Sequence, residues 1–290
     1  MPSNYTATAG TPAPPGANYS PTHTNFCVYS RDATGMDLLL YTSSADAEPF
    51  QVITLTLPLH RHSFFWHVAV DQLPAGTQYN WRVTRLDADG RQQLEVLDPL
   101  ARAISTTRWS RADWRPGGPL GLRGIVAPPA DKPRPAPIGL DDAIIYELHV
   151  GGFTRHPSAG VRQAGTFSGL IEKIPYLQDL GITHVQLLPV AAFDEQDVPA
   201  SVAALGLHNF WGYSPVALAS PHPGYSTQPD SAEQIDEFRE MVAAFHAAGI
   251  GVLLDVVLNH TAEGGAGGPA LNYKGLMPNE FYHRDGETYR

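Results

Sequence analysis

Three polar residues, Asp255, Asn259 and His260, lie within and directly after an apolar run in the segment GIGVLLDVVLNHTAEGG, residues 249–265. Valines and leucines on both sides of Asp255 predict a strand that is buried on both faces, as in a parallel sheet between helices. A carboxylate in such a strand is unfavourable unless a partner meets it. Because (β/α) barrels build their active sites at the C-terminal ends of their strands, this segment predicts a functional site. The alternative is an ordinary strand with a satisfied Asp255 and a polar exit turn.

A second set of candidate residues lies in a long predicted loop, residues 191–230, which precedes a helix. Loops between a strand and a helix usually take about 2–6 residues, and longer ones are often functional. This loop contains HNFWGYSP, with Trp211 and Tyr213, and PHPGYS. Aromatic and small polar residues favour a neutral, ring-shaped ligand such as a sugar. The phosphate-binding patterns GxGxxG and GxxxxGK[ST] are missing from the sequence, which weakens a nucleotide interpretation.

Other polar and aromatic residues have plainer interpretations. His149 stands beside Glu147 and is expected to form a polar pair in the core, with support of a neighbouring site as the alternative. The acidic run at residues 194–197 is expected to be a solvated loop tip rather than a catalytic pair. Trp66 and Trp81 could stack on sugars, but we expect them to fill a core.

The composition of the 290 residues, 43% hydrophobic and 17% charged, is typical of a globular protein. A net charge of −10 argues against nucleic acid or an anionic membrane as the partner. No apolar stretch approaches the ~20 residues of a membrane span, and no signal-peptide pattern is present. The single cysteine, Cys27, excludes an intrachain disulfide and fits a reducing compartment. We therefore expect a soluble, cytoplasmic protein.

The chain divides into two parts with different patterns. Up to about Asp98, segments rich in aromatic and β-branched residues predict strands separated by turns: FCVYS, MDLLLY, FQVITLTL, FFWHVAV and YNWRVTRL. They predict an all-β, immunoglobulin-like sandwich over residues 1–127. The proline-dense PPADKPRPAPIG predicts a stiff linker over residues 128–140.

From residue 141 onward, predicted strands and helices alternate. AIIYELHV, THVQLLPV and VLLDVVL are typical of strands. The first intervening helix is expected to open at Pro175, and the second to begin with a Ser231/Gln234 capping box and end at Gly249. This order predicts right-handed parallel crossovers, hence an α/β barrel or a doubly wound sheet.

In these segments, the chain resembles the isoamylase-type glycogen and starch debranching enzymes of the α-amylase superfamily. Five fragments carry the resemblance, in the family's order: YELHVGGFTRHPSAGV, GTFSGLIEKIPYLQDLGITHVQLLPV, FWGYSPVALASPHPGYS, IDEFREMVAAFHAAGIGVLLDVVLNHTAEGG and GPALNYKGL. The resemblance implies a multidomain fold, with a starch-binding-like sandwich before the first three β/α units of a TIM (β/α)8 barrel over residues 141–290. It also implies a retaining glycosidase that cleaves α-1,6 branch linkages in glycogen, amylopectin or limit dextrin.

The resemblance also implies roles for single residues. Asp255 resembles the buried carboxylate that pairs with an arginine on the fourth barrel strand and helps to set the position of the nucleophile. His260 looks like the histidine that hydrogen-bonds the glucose before the scissile bond, and Tyr213 is similar to the aromatic residue that stacks under it. Trp211 is expected beside them in the groove. Asn259 resembles a neighbour that orders the loop and in some relatives lies near calcium, so calcium stays undecided; no cofactor and no other metal is implied.

The chain departs from the family's pattern in two ways. Gly151 stands where many relatives have an arginine. The motifs that carry the nucleophile, the acid/base and the third carboxylate have no counterpart in the sequence, although retaining hydrolysis needs two carboxyl groups about 5–5.5 Å apart. We therefore expect this segment alone to be inactive and to need the C-terminal remainder of the barrel. Alternatives are an α-glucan branching enzyme, a maltooligosyl-trehalose trehalohydrolase or a non-catalytic glucan-binding protein.

Overall fold

The computed structural model describes residues 4–87, 90–129, 138–285 and 288–289. Most of the predicted linker and the tip of the predicted hairpin, residues 88–89, lie outside the described residues. The predicted domain boundaries at residues 127 and 141 therefore stay predictions. None of the helices within the described ranges has the length and apolar character needed to cross a bilayer.

The N-terminal part consists of two antiparallel sheets. One sheet has the strand order β1-β7-β3-β2, with β6 beside β7, and the other has the order β10-β11-β8-β4-β5, with β9 beside β8. The bounds of these strands are β1 Ala7–Thr8, β2 Gly16–Tyr19, β3 His23–Tyr29, β4 Gly35–Tyr41, β5 Gln51–Leu55, β6 Arg61–His62, β7 Phe65–Asp71, β8 Gln78–Asp87, β9 Gly90–Val96, β10 Ile104–Ser105 and β11 Arg123–Ile125.

Aromatic side chains fill the space between the two sheets. Trp66 on β7 and Trp81 on β8 are both fully buried, as expected from the sequence. The ring of Phe26 meets those of Tyr79 and Trp81 edge to face, with ring centroids 4.9 and 6.4 Å apart. Since both tryptophans are enclosed in this core, neither offers a face to a sugar.

The second part contains a parallel sheet of three strands, in the order β12-β13-β16. Helices and a two-stranded antiparallel ribbon, β14-β15, connect these strands. The bounds are β12 Ile145–Leu148, α1 Val150–Arg155, α2 Phe167–Ile171, α3 Ile174–Asp179, β13 His184–Leu187, β14 Ala191–Phe193, α4 Ala200–Ala203, β15 Pro215–Pro221, α5 Glu233–Ala247, β16 Gly251–Leu254, α6 Tyr273–Leu276, β17 Arg284–Asp285 and β18 Thr288–Tyr289, with 3₁₀ turns at Pro157–Ala159 and Pro223–Tyr225.

Helix α5 shows how far the local sequence determines a helix end. At its C-terminus Gly249 adopts φ +78°, and the N–H groups of Gly249 and Ile250 bond to the carbonyls of His246 and Phe245, which is a Schellman motif. The predicted capping box at its N-terminus is wrong. Ser231 Oγ accepts from the N–H of Glu233, and the Gln234 side chain donates to main-chain carbonyls instead. Ala232 rather than Ser231 is the N-cap residue, which shifts the register of the box by one.

The predicted strand around Asp255 is shorter and more exposed than its apolar pattern suggests. Strand β16 ends at Leu254, so Asp255 lies just beyond it and is half-buried. Leu254, Val256 and Leu258 are 45%, 56% and 79% exposed. Within the described residues β16 is an edge strand, and no further strand covers its open side. Burial on both faces was therefore a wrong prediction for this segment.

The segment that follows β16 packs on the sandwich. Leu276 of α6 is fully buried in the sandwich core, and Ser30 Oγ donates to the Leu276 carbonyl at 2.7 Å. Gly275 is required at this contact, because a Cβ there would overlap the side chain of Val96. The loop after the third parallel strand is therefore supported by the N-terminal domain.

Candidate functional site

Tyr213, Asp255 and His260 meet at the C-terminal edge of the parallel sheet. The Tyr213 hydroxyl donates to Asp255 Oδ2 at 2.6 Å, and His260 Nε2 lies 2.6 Å from the Tyr213 carbonyl oxygen. Because a carbonyl oxygen only accepts, Nε2 of His260 carries the proton in this bond. Both the side chain and the main chain of Tyr213 are therefore held by residues that follow β16.

The bond to Asp255 also changes the chemistry of Tyr213. This hydrogen bond, together with smaller effects of burial and of the Asp255 charge, raises the pKa of Tyr213 to about 12. The phenol therefore stays protonated at neutral pH and remains a donor to Asp255. The residue is 38% exposed, so part of it is open to a ligand.

The predicted neighbours of this cluster lie on the surface around it. Trp211 is 61% exposed, and Asn259 and His260 are exposed as well. Open aromatic faces beside a carboxylate and an imidazole can stack on sugar rings and bond their hydroxyls. The structure brings Tyr213, Asp255 and His260 together, while the roles of all five residues toward a glucan stay predictions.

His149 holds the loop that carries Trp211 and Tyr213. Its Nδ1 accepts from the N–H of Gly152 at 2.8 Å, and its Nε2 donates to the Phe210 carbonyl at 2.6 Å. The imidazole also stacks on the Phe210 ring, with centroids 4.0 Å apart. Burial lowers the pKa of His149, so the ring is neutral at pH 7 and its tautomer is fixed by these two bonds. The expected pairing with Glu147 is wrong, because Glu147 is exposed and the loop crosses over His149 instead.

Asp194 anchors the start of the same loop. Its carboxylate is fully buried and accepts from Trp109 Nε1 at 2.8 Å, Arg111 Nη1 at 2.7 Å and the Gln196 N–H at 2.9 Å. Arg111 also pairs with Asp197 at 2.7 Å. The expectation of a solvated loop tip was wrong for Asp194, because Arg111 and Trp109, in the connection between β10 and β11, cover it, whereas the neighbouring Glu195 is exposed. Sequence reasoning missed the cluster, since Arg111 and Asp194 are 83 residues apart.

Glu237 on α5 anchors the end of the loop. Its buried carboxylate accepts from the N–H and hydroxyl groups of Thr227, at 2.7 and 3.0 Å, and from the Ser226 hydroxyl at 2.7 Å. Ser168 on α2 donates two further bonds, from its N–H at 3.1 Å and its hydroxyl at 2.8 Å. Burial by itself raises the pKa of Glu237, but the bonds from Ser226, Ser168 and Thr227 together lower it below its usual value. The long loop is thus fixed at both ends before any ligand binds.

Within the described residues, no three or more His, Cys, Asp or Glu side chains come together in a way that could hold a metal ion.

Comparisons with known proteins agree with this architecture. Residues 14–101 match the family model of carbohydrate-binding module 48 (isoamylase N-terminal domain), and residues 144–286 match that of alpha amylase, catalytic domain. Isoamylase SU1, chloroplastic, of Zea mays is 34% identical over 294 residues, which cover 94% of this chain and 36% of the maize protein. The chain therefore spans little more than a third of the length of such curated relatives.

Solved structures give the same result. A pullulanase from Paenibacillus barengoltzii, complexed with maltotetraose, has a TM-score of 0.74 at 26% identity, covering 94% of this chain and 41% of that one. The catalytic module of the glycogen-degrading pneumococcal virulence factor SpuA, in complex with an inhibitor, has a TM-score of 0.75 at 25% identity, covering 96% and 41%. The predicted sandwich followed by parallel β/α units is thus confirmed. The chain is of the isoamylase type within the α-amylase superfamily and combines a carbohydrate-binding module 48 with part of an alpha-amylase catalytic domain.

Proposed function

We propose that this chain supplies the carbohydrate-binding module and the first three β/α units of a glycosidase that hydrolyses α-1,6 branch linkages in glycogen- or starch-type glucans. The observation that carries the proposal is the Tyr213–Asp255–His260 cluster at the C-terminal ends of parallel strands, where barrel enzymes place their active sites. The relatives support it, since they are named as an isoamylase, a pullulanase with bound maltotetraose and a glycogen-degrading protein.

The geometry suggests how these residues bind a glucan. Tyr213 offers its ring to the apolar face of one glucose unit, and the bond to Asp255 restricts rotation of that ring. His260 fixes the main chain from which the ring projects. Trp211 and Asn259, which are exposed nearby, extend the surface along the glucan chain.

Cleavage itself needs groups outside this set. A retaining glycosidase places a nucleophilic carboxylate and an acid/base carboxyl about 5–5.5 Å apart across the bond. We assign both groups to polypeptide that completes the barrel. Exposed apolar residues at the two edges of the three-stranded sheet support such a completion: Ile144 and Ile145 at one edge, 58% and 48% exposed, and Leu254 and Val256 at the other, 45% and 56% exposed.

A cytoplasmic location is part of the proposal and rests on the single, buried Cys27. The relative from maize is named as chloroplastic, so it lends no support to this location. Fractionation of cells that express a tagged chain measures the location directly.

The proposal is tested with the 290-residue chain, alone and together with the polypeptide that completes the barrel. Both samples are incubated with pullulan, glycogen, a limit dextrin and a maltooligosyl-trehalose. We expect no products from the chain alone and linear maltooligosaccharides from the completed protein. Hydrolysis by the chain alone would contradict the assignment of the carboxylates. New branch points, released trehalose, or glucan retention without products would identify the branching, trehalohydrolase or binding-protein alternatives.

A further inference from the structure

Lys274 is buried inside the glycine-rich loop that follows His260. The residue is only 6% exposed. Its Nζ donates to three main-chain carbonyl oxygens, those of Glu263 at 2.6 Å, Gly265 at 2.5 Å and Gly268 at 3.2 Å. A neutral amine has only two protons to donate, whereas an ammonium group has three. The three acceptors therefore require the charged form of Lys274.

The Glu263 side chain shapes the wall of this cage. Its buried carboxylate accepts bonds from the segment that carries Lys274: the N–H groups of Leu271, Asn272 and Lys274, and the Tyr282 hydroxyl. The carboxylate is thus used to hold the chain, and the ammonium meets carbonyl groups instead. Gly268 closes the cage at close range, because a Cβ there would overlap the Glu263 carbonyl oxygen.

We propose that these three carbonyl groups form a binding site for a monovalent cation, which the chain fills with its own lysine. Carbonyl oxygens replace the water shell of potassium in protein sites. The observed separations of 2.5–3.2 Å suit ammonium or potassium, whereas Mg²⁺ requires about 2.0–2.1 Å. The loop over residues 263–268 is thus ordered by a tethered charge without a bound metal. This inference does not depend on the proposed enzymatic activity.

The test removes the tethered cation and offers a free one. The substitutions Lys274→Ala and Lys274→Met are introduced into the full-length gene product. Proteolytic cleavage within residues 263–268 and the thermal midpoint are then measured in potassium, ammonium or choline chloride at one ionic strength. Lys173→Ala is the matched control, because Lys173 Nζ donates to one main-chain carbonyl among the described residues, that of Ala159 at 3.2 Å.

In choline, we expect cleavage of Lys274→Ala to be faster than in the unmodified protein by about tenfold or more. Ammonium or potassium should slow this cleavage in a saturable way. Lys274→Met should be cleaved as fast, but without response to either ion, because its side chain occupies the cage. For Lys173→Ala and the unmodified protein, the rate of cleavage should be the same in all three salts.

Three results would overturn the site. One is Lys274→Ala with unchanged cleavage. Another is faster cleavage that neither ion reverses, including a chain that stays unfolded in every salt. The third is Lys274→Met with the resistance of the unmodified protein, which would mean that packing rather than charge orders the loop.

Discussion

The substitution Asp194→Asn tests whether one buried carboxylate holds the long loop, residues 191–230, to the N-terminal domain. The substitution preserves volume, and Oδ1 can still accept from Trp109 and from the Gln196 N–H. It removes the charge, however, and places an amide NH₂ where Arg111 now donates at 2.7 Å. Two donors would then face each other in a buried place.

The size of the effect follows from these contacts. A hydrogen bond to a charged group contributes about 1.5–3 kcal/mol, and a buried donor left without an acceptor costs about 1–3 kcal/mol. Arg111 keeps its bonds to Asp197 at 2.7 Å and to the Ala262 carbonyl at 3.0 Å. Its side chain is also 22% exposed, so water offsets part of the loss. We therefore expect the free energy of unfolding to fall by about 2–3 kcal/mol.

The assay is urea unfolding of the full-length gene product, with Asp197→Asn as the matched control. The Asp197 carboxylate is 29% exposed, so its substitution should cost less than about 1 kcal/mol. In a double-mutant cycle, Asp194→Asn and Arg111→Met should be coupled by about 2 kcal/mol. An Asp194→Asn protein that loses no more stability than Asp197→Asn would refute the reasoning.

Three further predictions concern the other anchors and the cluster itself. The hydrogen bonds to Glu237 lower its pKa, so its contribution to stability is present above the unfolded pKa of about 4.3 and is lost as the pH falls through the lower native value. Glu237→Gln should therefore lower the urea midpoint at neutral pH and reduce the loss of stability on acidification; an acid profile like that of the unmodified protein would contradict this. Tyr213→Phe keeps the ring but loses the bond to Asp255, so affinity for maltotetraose, measured by calorimetry, should fall about three- to tenfold; unchanged affinity would show that this bond does not orient the ring. In the completed enzyme His260→Ala should lower kcat and leave binding of the distal glucan almost unchanged, and an unaltered kcat would count against its predicted role.

The order of elements could be predicted from the sequence because local patterns determine it. Alternating aromatic and β-branched residues predicted the strands of the sandwich, and the 3.6-residue period with Gly249 predicted helix α5 and its end. The meeting of Tyr213 with Asp255 and His260 was also predictable, because loops at the C-terminal ends of parallel strands converge.

The anchors of the loop could not be predicted in the same way. Phe210 is 61 residues from His149, and Asp194 is 83 residues from Arg111, so no local spacing connects these partners. An apolar run also predicts that a segment can be buried, but not whether a neighbour covers it. Leu258 follows β16 in such a run and is nevertheless 79% exposed.

These anchors indicate that the N-terminal domain holds the loops of the candidate site in place. The name carbohydrate-binding module does not describe this role. Trp109 and Arg111 donate hydrogen bonds to Asp194 at the start of the loop that carries Tyr213. The sandwich core encloses Leu276, in the loop that follows His260. A binding surface that is held in place beforehand loses less conformational entropy when its ligand arrives. Deleting the sandwich would therefore loosen the loops that carry Tyr213 and His260. Weaker glucan binding after such a deletion does not by itself identify a sugar site on the module, and substitutions such as Asp194→Asn are needed to separate the two effects.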